Sequence, residues 1–466
     1  MSFQYQSRPK TKKHMPEETL NILTLSGQDR GGGANEIARS LAEIYRARGH
    51  QSVMVVGEKR RTDPSVIELP DRTGGLAGIA LALRDTIRPA LGTIRGAGRL
   101  HEFFHCLGRP RRFIYRLSGR EDWVLPACHD VLDLAQSTPD LIHGHNLHSY
   151  AGPRGHFDLS ALPALCRKRP VVLTLHDAWL AAGHCAHSID CGNWLSGCGN
   201  CPDLSLYPPI RRDQTAYNLS RKKEVFENSR LYIATPSRWL MDKVKRSILA
   251  PAIIEERVIA GGIDISVFSP GKQEKSRAAL GLPVDRPILI FAAQGVKKGS
   301  WKDYGTMRSA LAFAVRKLPD RNILFIALGD NSPPEKIDGA EIRFLTFQKD
   351  AALIAEYYRA SDIYLHAARA DTFPTTILEA MACGRPVVAT AVGGISEQLT
   401  AKTGILTPPG DGEAMGRAIT NLLGGEDRRR QMGDAARARA IENFNQETKA
   451  DEYLAWFKDI VERLER

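Results

Sequence analysis

The sequence has no long apolar run and no apolar leader. None of its runs reaches the roughly 18 apolar residues that span a bilayer as a helix. The opening stretch MSFQYQSRPKTKKHMPEE contains no apolar core of the signal-peptide type. We therefore expect a cytoplasmic location. Since glutathione keeps thiols reduced there, the eight cysteines are not expected to form a disulfide framework.

Aromatic residues are also scarce, at 7% of the 466 residues. Because single-stranded nucleic acids are bound by stacking on aromatic side chains, this scarcity disfavours a zinc-knuckle protein that binds nucleic acid. A nicotinamide-dependent oxidoreductase is disfavoured as well, since the chain lacks a GxGxxG turn with an acidic residue at the expected distance. The net charge of +11 still favours an anionic partner: nucleic acid, phospholipid headgroups or a phosphorylated small molecule.

Short apolar runs alternate with helical stretches along the chain, which is typical of parallel βαβ construction. A chain of this length is too long for one core, so we predict an α/β fold with two Rossmann-like domains. The Pro-, Gly- and charge-rich stretch FSPGKQEKSRAALGLPVDRP separates two series of candidate strands. The predicted parts are a basic tail (1–20), a first domain (21–267), a linker (268–286), a second domain (287–440) and a closing helix (441–466).

Two positions in the first domain are candidates for ligand binding. Gly31, Gly32 and Gly33 follow the first predicted strand and open a helix, so their amides could approach a phosphate; a plain glycine-rich turn is the alternative. His176 ends the run PVVLTL at the carboxyl edge of a predicted parallel strand, where ligands bind in open α/β sheets. A purely structural hydrogen bond is the alternative for His176.

The loop 185–201 carries four cysteines in the spacing C-x5-C-x6-C-x2-C: Cys185, Cys191, Cys198 and Cys201. Four thiolates form a closed tetrahedral zinc site, and His184 and His187 are available as substitute ligands. We predict a structural zinc that fastens this loop. Reduced cysteines packed in a loop are one alternative, and redox or disulfide chemistry is another.

In the second half, charged residues follow two predicted strands. Asp371 precedes a predicted helix and Glu379 lies eight residues further on. Their carboxylates would be roughly 10 Å apart along the axis, which suits two ends of one elongated ligand. A capping Asp and a solvated Glu are the alternative. Three lysines, Lys297, Lys298 and Lys302, could neutralise a diphosphate or could form an exposed basic loop.

Together these stretches resemble the family-four glycosyltransferases of the GT-B architecture, particularly bacterial enzymes of exopolysaccharide, lipopolysaccharide and colanic acid assembly. The resemblance rests on the glycine-rich turn, the cysteine loop, PSRWL, GGIDISVFSP and, above all, DTFPTTILEAMACGRPVVATAVGGISE. It implies two Rossmann-like domains facing each other across a cleft. The first would bind the acceptor and the second a nucleotide-sugar donor.

The resemblance also implies roles for single residues. Glu379 would bind the ribose hydroxyls of the donor, Asp371 would lie beside the transferred sugar, and His176 would contact that sugar near the reacting carbon. Lys302 matches the family's phosphate-binding lysine, with Lys298 as a rival. The implied catalytic set is His176, Lys302 and Asp371, and the donor-binding set is Gly31, Gly32, Gly33, Lys298, Lys302, Thr375 and Glu379.

We therefore predict an enzyme that transfers a sugar from a UDP or GDP donor to a lipid-linked glycan at the inner membrane, with retention of anomeric configuration. No catalytic metal and no nucleic-acid partner are expected. The arginine-rich stretch 84–120 fits an anionic membrane surface, with ordinary helices bearing solvated arginines as the alternative. The alternative function is that of a catalytically inactive relative that binds sugar or acts as a scaffold.

Overall fold

Two parallel-type sheets form the framework of the protein. The computed structural model describes residues 19–70, 114–115, 117–123, 125–135, 137–145, 147–148, 156–297, 301–337 and 339–466. The first sheet has the order β3-β2-β1-β4-β5-β6-β7 and the second the order β10-β11-β9-β8-β12-β13-β14. All neighbouring strands pair in parallel except β10 and β11, which are antiparallel.

The strands of the first sheet are β1 (Asn21–Gln28), β2 (Gln51–Glu58), β3 (Val66–Glu68), β4 (Leu141–His145), β5 (Val171–Thr174), β6 (Leu231–Thr235) and β7 (Ile253–Val258). Those of the second are β8 (Ile288–Ala292), β9 (Leu324–Leu328), β10 (Glu335–Ile337), β11 (Ala340–Leu345), β12 (Ile363–His366), β13 (Val387–Thr390) and β14 (Gly404–Thr407). Central strands such as β8 (ILIFA) are buried along their whole length, because helices cover both faces of a parallel sheet.

The helices that cover these sheets are α1 (Gly33–Ala47), α2 (Leu162–Lys168), α3 (Thr215–Glu227), α4 (Arg238–Lys245), α5 (Gln273–Ala279), α6 (Tyr304–Lys317), α7 (Ala351–Ala360), α8 (Thr375–Ala382), α9 (Ile395–Gln398), α10 (Gly412–Gly424), α11 (Glu426–Phe444) and α12 (Gln446–Glu465). None of the helices in the described ranges combines the length and the apolar character that a bilayer crossing requires.

Each sheet has a point where the strand order reverses direction. In the first sheet it lies between β1 and β4, and in the second between β8 and β12. Open α/β sheets bind ligands in the crevice outside the carboxyl ends of the strands at such a point. The glycine-rich turn follows β1, Lys302 follows β8, and Asp371 follows β12, so the fold brings these candidates to the two switch points.

The range predicted as a linker packs on the second domain. It contains α5, and the side chain of Arg277 on this helix is ion-paired with Asp362 at 2.8 Å. Arg277 also donates a hydrogen bond to the carbonyl oxygen of Ala360 at 2.9 Å, and only 5% of the residue is exposed. The upstream residues Ile263 and Phe268 belong to the second domain's core. Composition predicted a linker because charged residues are usually solvated, and a sequence does not show that Arg277 is buried in an ion pair.

The range predicted as one closing helix, 441–466, contains the end of α11 and the whole of α12. α11 ends at Phe444, and α12 begins after Asn445, whose side chain accepts a hydrogen bond from the amide of Glu447 at 3.1 Å. The buried residues of α12, among them Trp456 and Phe457, join a core with residues of α1, β1, β4, β5 and β6. The chain therefore leaves the first domain, builds the second and returns to the first with its last helix.

A direct polar contact also joins the two domains. The carboxylate of Glu397 on α9 accepts hydrogen bonds from the amides of Arg238 (2.9 Å) and Trp239 (2.8 Å) at the start of α4. An acidic side chain at a helix N-terminus satisfies amides that have no partner within the helix and interacts favourably with the helix dipole. This contact and α12 hold the two domains in one arrangement.

The packing of α12 predicts the effect of one substitution. The ring of Phe457 is fully buried and lies 5.8 Å from that of Tyr45 and 5.1 Å from that of His143. We expect Phe457→Ala to lower the free energy of unfolding by about 3–5 kcal/mol, because it leaves a cavity in a shared core. Exposed Glu462 on the same helix provides the control: Glu462→Ala should leave the thermal unfolding temperature nearly unchanged. Equal shifts for both variants would contradict this packing.

Candidate active site

The glycine-rich turn of the first domain faces the start of α8 in the second. Gly31 and Gly32 have φ angles of 89° and 78°, in the left-handed region that favours glycine. A side chain at Gly33 would place its Cβ 3.6 Å from Oγ1 of Thr375. The N-termini of α1 and α8 therefore meet across the cleft, and both helix dipoles favour an anion there. The amide of Gly31 already donates a hydrogen bond to Glu36 at 3.0 Å.

A compact charged cluster lies where β12 ends. Nζ of Lys302 is 2.6 Å from Oδ2 of Asp371, and Nε2 of His366 is 3.3 Å from the same oxygen. Lys302 and Asp371 each expose 18% of their side chains, so a ligand can reach them, whereas His366 is fully buried. Burial opposes ionisation of Asp371, but the Lys302 ammonium holds the pKa of this carboxyl well below its usual range. Burial and Lys302 lower the pKa of His366 to about 4, so its imidazole is neutral.

Glu379, on α8, is not a solvated glutamate. Its Oε2 accepts a hydrogen bond from the hydroxyl of buried Tyr358 at 2.9 Å. Burial raises the pKa of Glu379 to about 7, although hydrogen bonds from Tyr358 and Thr375 act in the opposite direction. A carboxylate in this setting is a strong acceptor for ligand hydroxyl groups. The alternative of a solvated side chain, left open by the sequence, does not apply.

His176 is the cleft end of a chain of polar side chains. Its Nε2 lies 3.0 Å from Nδ1 of His145, and Nε2 of His145 lies 3.3 Å from Nδ1 of His143. Nε2 of His143 then meets the hydroxyl of Thr174 at 2.9 Å, and Thr174 meets the hydroxyl of Tyr453 on α12 at 2.9 Å. Burial lowers the pKa of His143 to about 3 and that of His176 to about 4, so these rings are neutral. Each can therefore donate one hydrogen bond and accept another.

His143 and His145 were not among the residues predicted from the sequence. The run LIHGH contained the signal, since two histidines separated by one residue lie on the same face of a strand. His176 lines a cavity that Ser40, Gly261 and Gln446 also line. A Cβ at Gly261 would lie 3.9 Å from the ring of Phe373 in the second domain, so this cavity lies close to that domain. The structure thus places His176 at the cleft while its ring orientation is set by the histidine behind it.

Behind the cleft, a buried ion pair holds the turn that follows His176. Nζ of Lys222 lies 3.0 Å from Oε1 of Glu121, and neither side chain is more than 2% exposed. Lys222 also donates hydrogen bonds to the carbonyl oxygens of Trp179 (2.9 Å) and Ala182 (2.8 Å). No pattern in the sequence distinguished Lys222 from the chain's many solvated lysines.

The four cysteines do not form a metal site in this structure. They are free and partly buried, and burial raises the pKa of Cys185 to about 12. Within the residues that the structure describes, no group of three or more His, Cys, Asp or Glu side chains is placed to hold an ion. His184 directs Nδ1 to the carbonyl oxygen of Pro208 at 3.0 Å and Nε2 to Sγ of Cys201 at 3.4 Å. The zinc stays a prediction, with packed, reduced cysteines as the alternative.

Of the two other lysine candidates, the structure describes Lys297. Nζ of Lys297 pairs with Glu335 and lies 4.4 Å from the ring centre of Phe344, so it is held away from Asp371. Lys298 lies outside the described residues, as does most of the stretch 84–120. Of the described lysines in this loop, Lys302 is the one in contact with Asp371.

Two Rossmann-like domains that face each other across a cleft, with charged and polar side chains at their switch points, define the GT-B architecture, and the predicted fold class is confirmed. Residues 286–425 match the family model described as Glycosyl transferases group 1. The match assigns the similarity to group 1 glycosyl transferases to the second domain of this chain.

Relatives and solved structures agree with this assignment. Over 268 residues the chain is 25% identical to the Escherichia coli protein named as a colanic acid biosynthesis glycosyl transferase, WcaC, covering 54% of this chain and 60% of that protein. The sucrose-phosphate synthase of Thermosynechococcus elongatus has a TM-score of 0.62 at 20% identity, covering 95% of this chain and 99% of the other. Alr3699/HepE of Anabaena, in complex with UDP and glucose, has a TM-score of 0.61 at 18% identity, covering 94% and 99%. The chain spans about half the length of the curated relatives it matches.

The environment of Glu379 predicts how stability depends on pH. Its pKa rises from 4.5 to about 7 in the folded protein, so the folded state holds this proton more tightly than the unfolded chain. The contribution of Glu379 is therefore complete below pH 4.5 and is lost as the pH rises through 7. We expect Glu379→Gln to unfold at a higher temperature than the wild type at pH 8, with the difference vanishing near pH 4. Thermal unfolding across this range measures it.

Glu413 on α10 provides a matched control, since its side chain is 63% exposed and paired with Arg417 one helical turn away. Glu413→Gln should show no such trend between pH 4 and pH 8. A stability difference for Glu379→Gln that is constant with pH would contradict the buried, proton-retaining carboxyl.

Proposed function

We propose that this protein is a glycosyltransferase that transfers a sugar from a nucleotide-sugar donor to a glycan. The observation that carries the proposal is the Lys302–Asp371–His366 cluster at the switch point of a domain that matches the group 1 glycosyl transferase model, and we assign His176 of the first domain to the same site. One domain supplies a cation and an anion at the cleft, and the other supplies a neutral imidazole.

The chemistry of sugar transfer matches these groups. Cleavage of the bond between sugar and nucleotide diphosphate leaves negative charge on the diphosphate. The ammonium of Lys302 and the N-termini of α1 and α8 supply preorganised positive charge for it. Glu379 would accept hydrogen bonds from the ribose hydroxyls, with Thr375 beside it. Because protein groups provide the positive charge, we expect no catalytic metal, and retention of anomeric configuration follows from the family resemblance.

The donor is proposed to be a UDP- or GDP-sugar. The similarity to a protein solved with UDP and glucose supports this class of donor. His176 would approach the transferred sugar from the first domain, with His145 holding its ring. Nε2 of His176 contacts His145. The other ring nitrogen, Nδ1, would therefore donate or accept one hydrogen bond with the sugar.

The acceptor is proposed to be a lipid-linked glycan at the cytoplasmic face of the inner membrane, where the protein would act as a peripheral enzyme. Similarity to a colanic acid biosynthesis protein supports a surface polysaccharide. The first domain carries an exposed arginine stacked on an exposed aromatic ring, with Arg120 4.4 Å from the ring centre of Tyr217. Such a surface suits anionic headgroups.

Donor binding can be tested by thermal unfolding with a set of UDP- and GDP-sugars. A true donor at 100 times its dissociation constant should add about 2.7 kcal/mol to the free energy of unfolding.

We expect Asp371→Asn to lower the rate of nucleotide release from that donor by at least about 100-fold. Lys302→Ala should weaken nucleotide binding about tenfold or more, which is about 1.4 kcal/mol. Lys298→Ala tested in parallel decides between the two lysines.

The control for these variants is Lys317→Ala, because Lys317 is an exposed lysine at the far end of α6. It should match the wild type in both binding and release. Stabilisation by none of the nucleotide-sugars would contradict the proposal. Unchanged nucleotide release by Asp371→Asn, in a variant that still binds donor, would instead favour an inactive sugar-binding relative.

A further inference from the structure

The cysteine loop places one histidine against the second domain. The ring of His187 packs edge-on against the ring of Trp301, with 4.8 Å between ring centres and an angle of 71° between the planes. Trp301 immediately precedes Lys302 in the chain, and its carbonyl oxygen accepts a hydrogen bond from the amide of Arg369 at 2.7 Å. His187 therefore crosses the cleft and ends beside the loops that carry Lys302 and Asp371.

The electrostatic environment of His187 agrees with this position. Burial is the main cause that lowers its pKa, and the charge of Lys302 acts in the same direction. The carboxylates of Asp177 and Asp371 act against them. Charges influence a pKa in this way only at short range, so His187 lies near groups of both domains at the candidate reaction centre.

One nitrogen of His187 has nothing to bind in the described part of the chain. Nδ1 is shielded from solvent and has no hydrogen-bond partner there. A buried polar atom without a partner costs about 1–3 kcal/mol, so such atoms are rare unless a ligand or water completes them. Here the unpartnered atom lies beside an aromatic ring and a charged pair, which is the mixture of apolar and polar groups that small-molecule sites use.

The backbone on both sides of His187 is held in place. The amide of Ala186 donates to the carbonyl oxygen of Tyr207 at 2.8 Å, and the carbonyl oxygen of Ala186 accepts from the amide of Ala178 at 2.9 Å. The hydroxyl of Ser188 is hydrogen-bonded to Nζ of Lys243, whose ammonium also lies 4.6 Å from the ring centre of Trp194. These contacts hold the backbone that carries His187, and Trp301 packs against its ring, so little conformational entropy is lost on binding.

We propose that His187 is a donor-binding residue whose Nδ1 forms a hydrogen bond with a hydroxyl of the transferred sugar, held between Trp301 and the Lys302–Asp371 pair. This inference rests on the proposed function, since it requires a nucleotide-sugar in the cleft. It assigns the cysteine loop a role in the reaction: the loop presents a sugar-binding histidine from the first domain to the donor on the second.

The test compares two substitutions in the full-length protein. His187→Phe keeps a ring against Trp301 and removes the nitrogen, whereas His187→Gln retains a hydrogen-bonding group. Dissociation constants are measured for UDP and UDP-glucose and for GDP and GDP-mannose, together with the KM and kcat of nucleotide release. We expect His187→Phe to bind the free nucleotide like the wild type but to bind the matching nucleotide-sugar about tenfold more weakly, with His187→Gln recovering part of the loss.

The matched control is His129→Phe, because His129 is exposed and its Nε2 lies 3.3 Å from the hydroxyl of Ser160, away from the cleft residues named above. It should behave as the wild type. Wild-type protein that binds no nucleotide-sugar would overturn the proposed function and this inference together. If the wild type binds a nucleotide-sugar and His187→Phe binds it equally well, only the assignment of His187 is overturned. Parallel loss of free nucleotide and nucleotide-sugar binding would also overturn it, since that would indicate a structural role.

Discussion

The contact between Lys302 and Asp371 is the interaction on which the rest of the site depends. It joins the loop after β8 to the loop after β12, across the point where the second sheet reverses its strand order. The buried, neutral ring of His366 contacts Asp371 of this pair. Removing either charge would leave the other partly buried without its partner, which is costly in a region of low dielectric constant. In the proposed function, this cation would stabilise the negative charge of a departing diphosphate.

The two domains are coupled through the same surfaces that form the site. Tyr453 of α12 ends the chain of polar contacts that begins with His176 at the cleft. The orientation of an imidazole in the first domain therefore depends on a helix that follows the whole second domain in sequence. Glu397, which binds the start of α4, adds a contact between the domains. The packing of α12 therefore affects the geometry of the cleft.

Two buried lysines hold parts of the long loop of the first domain in place. Lys222 holds the backbone of Trp179 and Ala182, and Lys243 holds Ser188. Both ammonium groups lie over tryptophan rings, at 3.9 Å and 4.6 Å from the ring centres. A desolvated ammonium is tolerated where carboxylate, carbonyl and aromatic groups surround it. Charge and aromatic contacts thus position the loop. Because Ser188 follows His187 directly, the contact with Lys243 also helps to position His187.

Sequence alone determined the architecture and the residue types at the strand ends. Buried parallel strands and the turns after them have patterns that are local in the sequence and can be recognised without the structure. His176, Asp371 and Glu379 were predicted as candidate site residues in this way, with strong help from a family resemblance. The tertiary structure decided everything that depends on distant partners: that α5 packs on the second domain, that α12 returns to the first, and that Lys302 contacts Asp371. It also decided that His187 faces Trp301, since burial and charge pairing arise only when the chain is folded and no local pattern encodes them.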